Sequence, residues 1–415
     1  MMSVLSNEER VKILSDIVSI KTVNSNELEV AHYFERLFSQ YGIRSHIDTV
    51  TDGRANLIAT VGSSQPVIGI SGHMDVVSEG NHDHWTYDPF TLTEDQGYLY
   101  GRGAADMKSG LAALAIALIE IKESGKLTQG TIKFMATVGE EMEQSGSQQL
   151  FEKGYADDLD ALLIAEPSFP SLVYAHKGSM DFRIKSKGRA SHSSLPFLGQ
   201  NAIKPLLEFI QNINQEYEKI TQSVKGESLD FSNMINKLEN QLPSHITKEK
   251  AQELIQGLVM TNSIVQGGTQ VNSVPDFATA EFNVRTIPEY NNNKVKALFN
   301  EYIEQANQNG ASLTQELYLD LEPVVTTGQN RLVELGFDIA KSHFSNERDL
   351  IVTPTVAVTD ASNLLKGKDE NFPFLMFGPG NGPHQINECV EKANYLEFVE
   401  YYIEFITSYL NEENE

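Results

Sequence analysis

The sequence has a single cysteine and no long apolar segment. With Cys389 alone among 415 residues, an intrachain disulfide and a thiolate metal cage are both excluded. A metal site in this chain must therefore use histidine and carboxylate ligands, which suit zinc, cobalt or manganese. No stretch approaches the ~18 apolar residues of a membrane span, and Glu8 and Glu9 stand where a secretory signal needs an apolar run. These features predict a cytoplasmic protein.

Basic residues are also scarce. The chain has 32 Lys and Arg against 57 Asp and Glu, which gives a formal net charge of −25. Such a surface repels nucleic-acid phosphates and anionic lipids. We therefore expect neither nucleic acid nor a membrane as partner, and a small molecule instead. The 40% hydrophobic content is ordinary for a globular protein, and 415 residues suggest two or three domains at the usual ~100–200 residues each.

The first part of the chain alternates short apolar runs with helical patterns, which indicates an α/β sheet. Ser6 and Glu9 form a capping-box pattern, so a helix is predicted to begin there. Another helical pattern, which starts near Leu111, stops at Gly125, a residue type typical of helix ends. Three apolar runs have the length of buried strands: 67–70, 132–138 and 161–165.

From about residue 179 the pattern changes to alternating strands around a polar helical stretch. We predict an inserted α+β domain over 179–291. The first domain is then formed by 1–178 together with 292–415, and its expected fold class is α/β with a mixed sheet.

Polar residues directly follow the predicted strands. His73 follows the first run, Glu140 and Glu141 follow the second, and Glu166 follows the third. Because sites in α/β sheets lie beyond the carboxyl ends of strands, we expect these four side chains to converge. Glu140 and Glu141 repel each other unless a cation or proton neutralises one, so one can be a metal ligand and the other a base. The alternative for such a pair is a solvated turn.

Asp75, Asp106 and His384 each allow a functional and a structural interpretation. Asp75 can accept the second ring N–H of a ligating His73, although an H-x-D pair alone is a weak signal. Asp106 lies in a glycine-rich turn before a helix, where it can bridge two cations or cap that helix. An isolated His384 is more often a surface or core residue. Together with Glu166, these side chains offer enough oxygen and nitrogen ligands for two hydrolytic metals.

Taken together, these segments resemble the co-catalytic zinc metallopeptidase and deacylase family, which includes succinyl-diaminopimelate desuccinylase, acetylornithine deacetylase, aminoacylase and glutamate carboxypeptidases. The resemblance covers nearly the whole chain. It implies a mixed-sheet αβα zinc-hydrolase domain with an inserted ferredoxin-like lid that also forms a homodimer. The matching segments are SGHMDVV (71–77), GRGAADMKSG (101–110), GEE (139–141), AEP (165–167), ASHS (190–193) and GPG (378–380) leading to His384.

By this resemblance the chain hydrolyses an N-acylated amino acid with two divalent metal ions, zinc first and cobalt or manganese as alternatives. Glu140 takes a proton from the attacking water and later delivers it to the departing amine. Asp75 orients His73. The implied metal ligands are His73 and Glu166 for one ion, Glu141 and His384 for the other, and Asp106 for both.

The resemblance also implies roles inside the inserted domain. His192 matches a histidine that reaches the partner subunit's site as an oxyanion donor, so the monomer is expected to be nearly inactive. Asn272 and Arg285 match residues that hold substrate carboxylate or carbonyl groups, and a guanidinium suits a carboxylate well. The structural alternative for Arg285 is a surface arginine on a strand.

The segment after His384 is similar to the desuccinylase members, which carry an Ile-Asn-Glu pattern there. This implies N-succinyl-L,L-diaminopimelate as substrate, with Asn381 contacting a substrate carboxylate. The loop before His384 is shorter than in typical desuccinylases, and Lys177 stands where those often carry arginine, so Lys177 is expected to supply the charge. The alternatives are an acetylornithine deacetylase, an aminoacylase, a dipeptidase or carboxypeptidase of the same family, or a non-catalytic metal-bound protein with this fold.

Overall fold

The structure, a computed structural model, describes residues 3–344, 350–380 and 382–411. The chain divides into two compact units. The first unit falls within 1–175, 326–353 and 359–415, and the second is formed by 176–325 and 354–358.

Strands and helices alternate along much of the chain. The strands are β1 (Arg44–Thr51), β2 (Arg54–Gly62), β3 (Val67–His73), β4 (Thr93–Asp95), β5 (Tyr98–Tyr100), β6 (Thr131–Thr137), β7 (Ala161–Pro167), β8 (Ser171–His176), β9 (Gly178–Lys187), β10 (Val259–Gly267), β11 (Phe277–Thr286), β12 (Leu313–Leu321), β13 (Ile351–Thr355), β14 (Phe374–Gly378) and β15 (Cys389–Glu391). The α-helices are α1 (Asn7–Ser19), α2 (Glu27–Gln40), α3 (Lys108–Ser124), α4 (Ser145–Glu152), α5 (Ile203–Ser223), α6 (Ser232–Leu238), α7 (Lys248–Gln256), α8 (Asn292–Gln308), α9 (Arg331–His343), α10 (Ala361–Leu364) and α11 (Lys392–Asn411).

An eight-stranded mixed sheet organises the first unit, in the order β1-β2-β6-β3-β7-β14-β8-β13. The four central strands β6, β3, β7 and β14 run parallel, whereas β2 is antiparallel to β6 and β8 is antiparallel to β14. Every residue of β3 is buried, which fits a strand covered on both faces. The three strands predicted from apolar runs are β3, β6 and β7, so the expected α/β class is confirmed.

Two helix ends of the first unit fall where local sequence signals predict them. The Ser6 hydroxyl oxygen accepts the Glu9 N–H at the start of α1, and the Glu9 carboxylate accepts the Ser6 N–H. Helix α3 ends at Gly125, which has a left-handed φ of 64°. Residues 108–121 of α3 are all buried, and this helix packs against β3 and α11. Of the helices in the described part of the chain, none has the length and apolar character needed to cross a membrane.

The second unit contains a four-stranded antiparallel sheet in the order β10-β11-β9-β12. Buried and half-buried residues alternate along β11 from residue 278, as expected for a sheet with one covered face. Helices α5 and α8 pack on that sheet, and the ring of Phe299 in α8 stacks on Phe182 in β9 with centroids 4.3 Å apart. The unit therefore has an α+β arrangement.

The predicted return to the first domain at residue 292 is wrong. Strand β12 pairs with β9 from Leu313 to Leu321, and α8 contributes Val295 and Phe299 to the core of the second unit. The second unit therefore extends to residue 325. The change of pattern after Pro288 marks a turn inside the second unit, where Ile287 bridges to Tyr290, and local sequence does not distinguish such a turn from a domain boundary.

Candidate metal centre

The parallel strands bring the predicted polar residues to one edge of the large sheet. His73 is the last residue of β3, and Glu166 lies near the end of β7. Glu140 and Glu141 follow β6, and His384 follows β14. Because carboxyl ends of parallel strands share one edge, these side chains converge there.

Two glycines allow neighbouring elements to approach the main chain that carries Glu166. A Cβ atom on Gly110 of α3 would lie 2.0 Å from the Ala165 carbonyl oxygen. A Cβ on Gly378 of β14 would lie 2.1 Å from the same atom. No residue with a side chain fits at either position without moving the main chain. The strand end at Glu166 is thus held closely from two sides.

Asp106 lies between the two histidines. Its Oδ1 atom is 3.1 Å from His73 Nε2, and its Oδ2 atom is 3.3 Å from His384 Nε2. His384 Nε2 is also 3.0 Å from a Glu141 carboxylate oxygen, and His73 Nε2 is 3.5 Å from Glu166 Oε1. The structure therefore contains two groups of three ligand atoms, each within 4.8 Å of one another, that share Asp106: His73, Asp106 and Glu166, and Asp106, Glu141 and His384.

The electrostatics of this cluster fit two divalent cations. Burial raises the pKa of Glu166 well above its ordinary value, and the carboxylates of Asp106 and Glu141 add to that rise although His73 opposes it. Burial also acts to raise the pKa of Asp106, but hydrogen bonds with His384 and His73 outweigh it and lower that pKa. Within the described residues, Glu166 Oε1 is a buried oxygen that accepts no hydrogen bond. Buried, clustered carboxylates with a spare acceptor are the surroundings that a bound cation stabilises.

The structure corrects the predicted contact between Asp75 and His73. The Asp75 carboxylate lies 3.7 Å from His73 Nδ1, which is beyond hydrogen-bond range. His73 Nδ1 instead lies 2.9 Å from the main-chain carbonyl oxygen of Asp75. The Asp75 carboxylate accepts the main-chain N–H groups of Glu140 and Glu141, at 3.2 and 3.1 Å. Asp75 therefore orients the imidazole through its main chain and holds the two glutamates through its side chain.

Glu140 faces the first group of ligands without being one of them. Its Oε2 atom is 4.0 Å from His73 Nε2, and its Oε1 atom accepts a hydrogen bond from Gln144 Nε2 at 3.0 Å. Burial raises the pKa of Glu140 well above its ordinary value, and the Glu166 carboxylate contributes to the same shift. Asn363 Nδ2 donates to Ser147 Oγ at 3.0 Å and lies 3.4 Å from Gln144 Oε1. The buried side-chain amides of Gln144 and Asn363 thus hold the carboxylate of Glu140, the predicted base.

The candidate substrate residues lie in the second unit, with one exception. His192 is exposed, and its Nδ1 atom lies 2.8 Å from the Ser194 hydroxyl oxygen. The exposed Asn272 lies on a neighbouring loop, where its carbonyl oxygen accepts the Ser193 N–H at 3.0 Å. Arg285 is half-buried on β11. The exception is Asn381, which falls outside the described residues.

The environment of Lys177 differs from the one expected of a residue that binds a substrate carboxylate. Its side chain is buried, and Nζ donates to the Gly257 carbonyl oxygen at 2.6 Å. Nζ also lies 5.8 Å from the centre of the Phe231 ring. Burial lowers the pKa of Lys177 to about 8, and the positive charge of Arg285 acts in the same direction. The ammonium group is therefore already engaged by the fold of the second unit.

Sequence analysis missed two residues that contact this centre. Gln144 donates to Glu140, but a glutamine in a turn has no pattern that marks it. Glu388 accepts the main-chain N–H of Asp106 at 2.9 Å, a contact across 282 positions. The signal in the sequence that marks Glu388 is its place in the Ile-Asn-Glu pattern after His384.

A mixed α/β sheet whose strand ends present two groups of carboxylate and histidine side chains around a shared aspartate is the arrangement expected of a two-metal hydrolase. A model of peptidase family M20/M25/M40 matches residues 69–408. This chain belongs to that family, and it is accordingly a hydrolase.

Individual relatives agree with this assignment. The chain is 44% identical over 411 residues to a protein named probable succinyl-diaminopimelate desuccinylase from Staphylococcus epidermidis, covering 99% of this chain and all of the relative. Its fold is similar to that of an M20 family metallo-carboxypeptidase from Sulfolobus solfataricus, with a TM-score of 0.80, 19% identity and coverage of 97% and 99% of the two chains. It is also similar to a dinuclear metal-binding peptidase of the M20 family from Bacillus subtilis, with a TM-score of 0.64, 16% identity and 98% coverage of both.

Proposed function

We propose that this chain is a two-metal amide hydrolase that converts N-succinyl-L,L-diaminopimelate and water into diaminopimelate and succinate. The observation that carries the chemistry is the pair of three-residue ligand groups sharing Asp106, with Glu140 beside them. The name of the Staphylococcus epidermidis relative supports the substrate, because the similarity extends over the full length of both chains. The reaction would serve bacterial lysine and cell-wall precursor synthesis in the cytoplasm.

The proposed ligands are side chains of the first unit. His73 and Glu166 would hold one ion, Glu141 and His384 the other, and Asp106 both. When bound, such ions polarise the amide carbonyl and make water a stronger nucleophile near neutral pH. Imidazole and carboxylate ligands suit zinc, and they also accept cobalt and manganese.

Glu140 is the proposed general base. Its carboxylate takes a proton from water as the water oxygen forms a bond to the amide carbon, and it delivers that proton to the amine nitrogen as the C–N bond breaks. Gln144 fixes the position of one carboxylate oxygen, so the other is left to exchange the proton. The Glu140 side chain is 11% exposed, which limits the access of bulk water to that proton.

The second unit is proposed to recognise the substrate. Arg285 suits a substrate carboxylate, because a guanidinium group binds the two oxygens at once. Asn272 is proposed as a further contact, and His192 as a donor to the developing oxyanion in the site of a partner subunit. A homodimer formed through this unit agrees with its exposed apolar side chains, which include Phe197, 75% exposed, and the fully exposed Val271.

The deciding experiment compares substrates on one protein preparation. Zinc-reconstituted protein is given N-succinyl-L,L-diaminopimelate, N-acetylornithine, N-acetylmethionine and a simple dipeptide, with a chelated sample as control. We expect the highest kcat/KM for the succinyl substrate and no turnover after chelation. Activity that survives complete metal removal would contradict the two-metal mechanism.

The second candidate function is hydrolysis of another N-acyl amino acid, and the environment of Lys177 favours it. The ammonium group that was expected to replace a carboxylate-binding arginine donates to the Gly257 carbonyl oxygen instead. A smaller or less acidic acyl group needs no such charge. Preference for N-acetylornithine or N-acetylmethionine in the same comparison would reassign the substrate and leave the metal chemistry unchanged.

A further inference from the structure

The carboxylate of Glu388 is enclosed by the loop that carries Asp106. Glu388 is only 2% exposed, and its Oε1 atom accepts three main-chain N–H groups. The donors and distances are Gly103 at 3.1 Å, Ala105 at 2.9 Å and Asp106 at 2.9 Å. The loop is thus wrapped around one oxygen, and its last donor is the residue whose side chain belongs to both ligand groups.

The second carboxylate oxygen of Glu388 is held by an arginine from the same loop. Arg102 Nη1 donates to Glu388 Oε2, and Arg102 Nη2 donates to the Ser78 carbonyl oxygen at 3.0 Å. The guanidinium also lies over the Trp85 ring, 5.2 Å from its centre. Both charges are buried, so each depends on the other for neutralisation.

Glu388 also belongs to the segment that carries the other end of the site. His384 stands four positions earlier, and the Gly101 N–H donates to the Glu388 carbonyl oxygen at 3.0 Å. Strand β15, which starts at the next residue, pairs antiparallel with β5 immediately before the loop. The main chain and the side chain of Glu388 therefore join the segments that bear Asp106 and His384.

We propose that Glu388 is a positioning residue that fixes the shared carboxylate Asp106 between His73 and His384. This inference rests on the ligands assigned in the proposed function. Hydrogen bonds from N–H groups to an ionised carboxylate are roughly twice as strong as neutral ones, so a neutral side chain would leave the loop more weakly held. Since Asp106 belongs to both ligand groups, loss of the Glu388 charge weakens the binding of both ions.

Metal binding by the substrate-free protein tests this inference. Metal-free wild type and the variant Glu388→Gln are titrated with Co²⁺ and followed by calorimetry and by the visible absorption of the bound ion. Partners that hold metal ligands typically contribute about 10–100-fold to affinity, and we expect a loss of that size for both ions with an altered absorption spectrum. The matched control is Glu94→Gln. Glu94 lies on β4 of the three-stranded sheet β15-β5-β4 and pairs with Lys392 at the surface, so this variant is expected to leave the Co²⁺ affinity and the spectrum unchanged.

A double variant separates positioning from simple charge pairing. Arg102→Met combined with Glu388→Gln removes both buried charges, so thermal stability should recover relative to Glu388→Gln alone. We expect metal affinity to stay low, because the loop N–H groups still lack the carboxylate. Recovery of affinity together with stability would overturn the positioning role and leave only an ion pair.

A variant that retains the charge covers the case in which Glu388→Gln does not fold. Glu388→Asp withdraws the carboxylate from the loop by one methylene group, and we expect this variant also to bind both ions more weakly. Wild-type affinity and spectrum in whichever of the two variants folds would overturn this inference alone. Failure of the wild-type protein to bind two Co²⁺ ions would overturn the ligand assignment of the proposed function and this inference with it.

Discussion

The two units hold their candidate functional groups in opposite ways. In the first unit, His73, Asp106 and Glu166 are buried and lie within reach of one another. In the second unit, His192 and Asn272 are exposed on loops joined by main-chain hydrogen bonds. The residues proposed to hold metal are thus fixed at the end of a buried sheet, whereas the residues proposed to act on the substrate from the second unit stand at the surface. Changes at the buried groups of the first unit should therefore affect metal binding or the chemical step, and changes at the exposed groups of the second unit should lower activity without loss of metal.

The largest effect is expected from Glu140→Ala. Without the base, kcat should fall by about 10²–10⁴-fold, the range typical of general acid–base catalysis. Two metal ions should remain, because Glu140 belongs to neither ligand group. Metal analysis and steady-state kinetics on the same sample check this, with the exposed neighbour Glu143→Ala as the control. Near-normal turnover in metal-replete Glu140→Ala protein would remove Glu140 from the mechanism.

His192→Ala should have the next largest effect. Loss of an oxyanion donor typically lowers kcat by about 10²–10³-fold, and an exposed side chain contributes little to stability. Mixing inactive Glu140→Ala and His192→Ala proteins tests whether the histidine acts in a partner's site. If it does, subunit exchange should restore roughly a quarter of wild-type activity, since half of the dimers are mixed and each has one intact site. A mixture that stays inactive after verified exchange would contradict action between subunits.

Gln144→Leu is expected to reduce kcat by about 10-fold with little change in KM, because it removes a hydrogen bond to the base without touching a substrate group. The exposed Gln148→Leu in helix α4 is the matched control, since the Gln148 side chain donates to Glu152 and not to Glu140. Steady-state kinetics on the two variants separate the parameters. An unchanged kcat would show that Glu140 is held well enough by its main chain.

Lys177 is a buried residue of the second unit that contacts the main chain, unlike the exposed His192 and Asn272. Its titration is expected to affect stability and to have the smallest effect on activity. Burial lowers its pKa in the folded protein to about 8, below its unfolded value of about 10.4. Between these values the unfolded chain binds more protons, so the contribution of Lys177 to stability rises as pH increases through this window. The free energy of unfolding of wild type minus that of Lys177→Met should therefore increase by about 2 kcal/mol from pH 7 to pH 9.5. Urea unfolding at the two pH values measures this change. A stability difference that does not depend on pH would contradict the lowered pKa of Lys177.

Local pattern predicted three of the central strands of the first unit and the approach of several polar side chains at their ends. Apolar runs identified β3, β6 and β7, and the rule that sites follow strand ends brought His73 and Glu166 together. The pattern failed where main-chain geometry decides the contact, as in the carbonyl oxygen that Asp75 offers to His73. It also failed for contacts distant along the chain, such as Lys177 with Gly257, because periodicity carries information about a residue's own element and not about its partner.

The wide separation of the ligands along the chain has a consequence for synthesis. In the proposed assignment, the residues of the first ligand group are all encoded by position 166, but the second group also needs His384, which is synthesised much later. A nascent chain that ends before His384 holds an incomplete pair, even if its first strands have already formed. Loading with two ions would thus report that translation has passed the last ligand, and a ribosome-released fragment ending at residue 380 would not compete with the finished enzyme for the second ion.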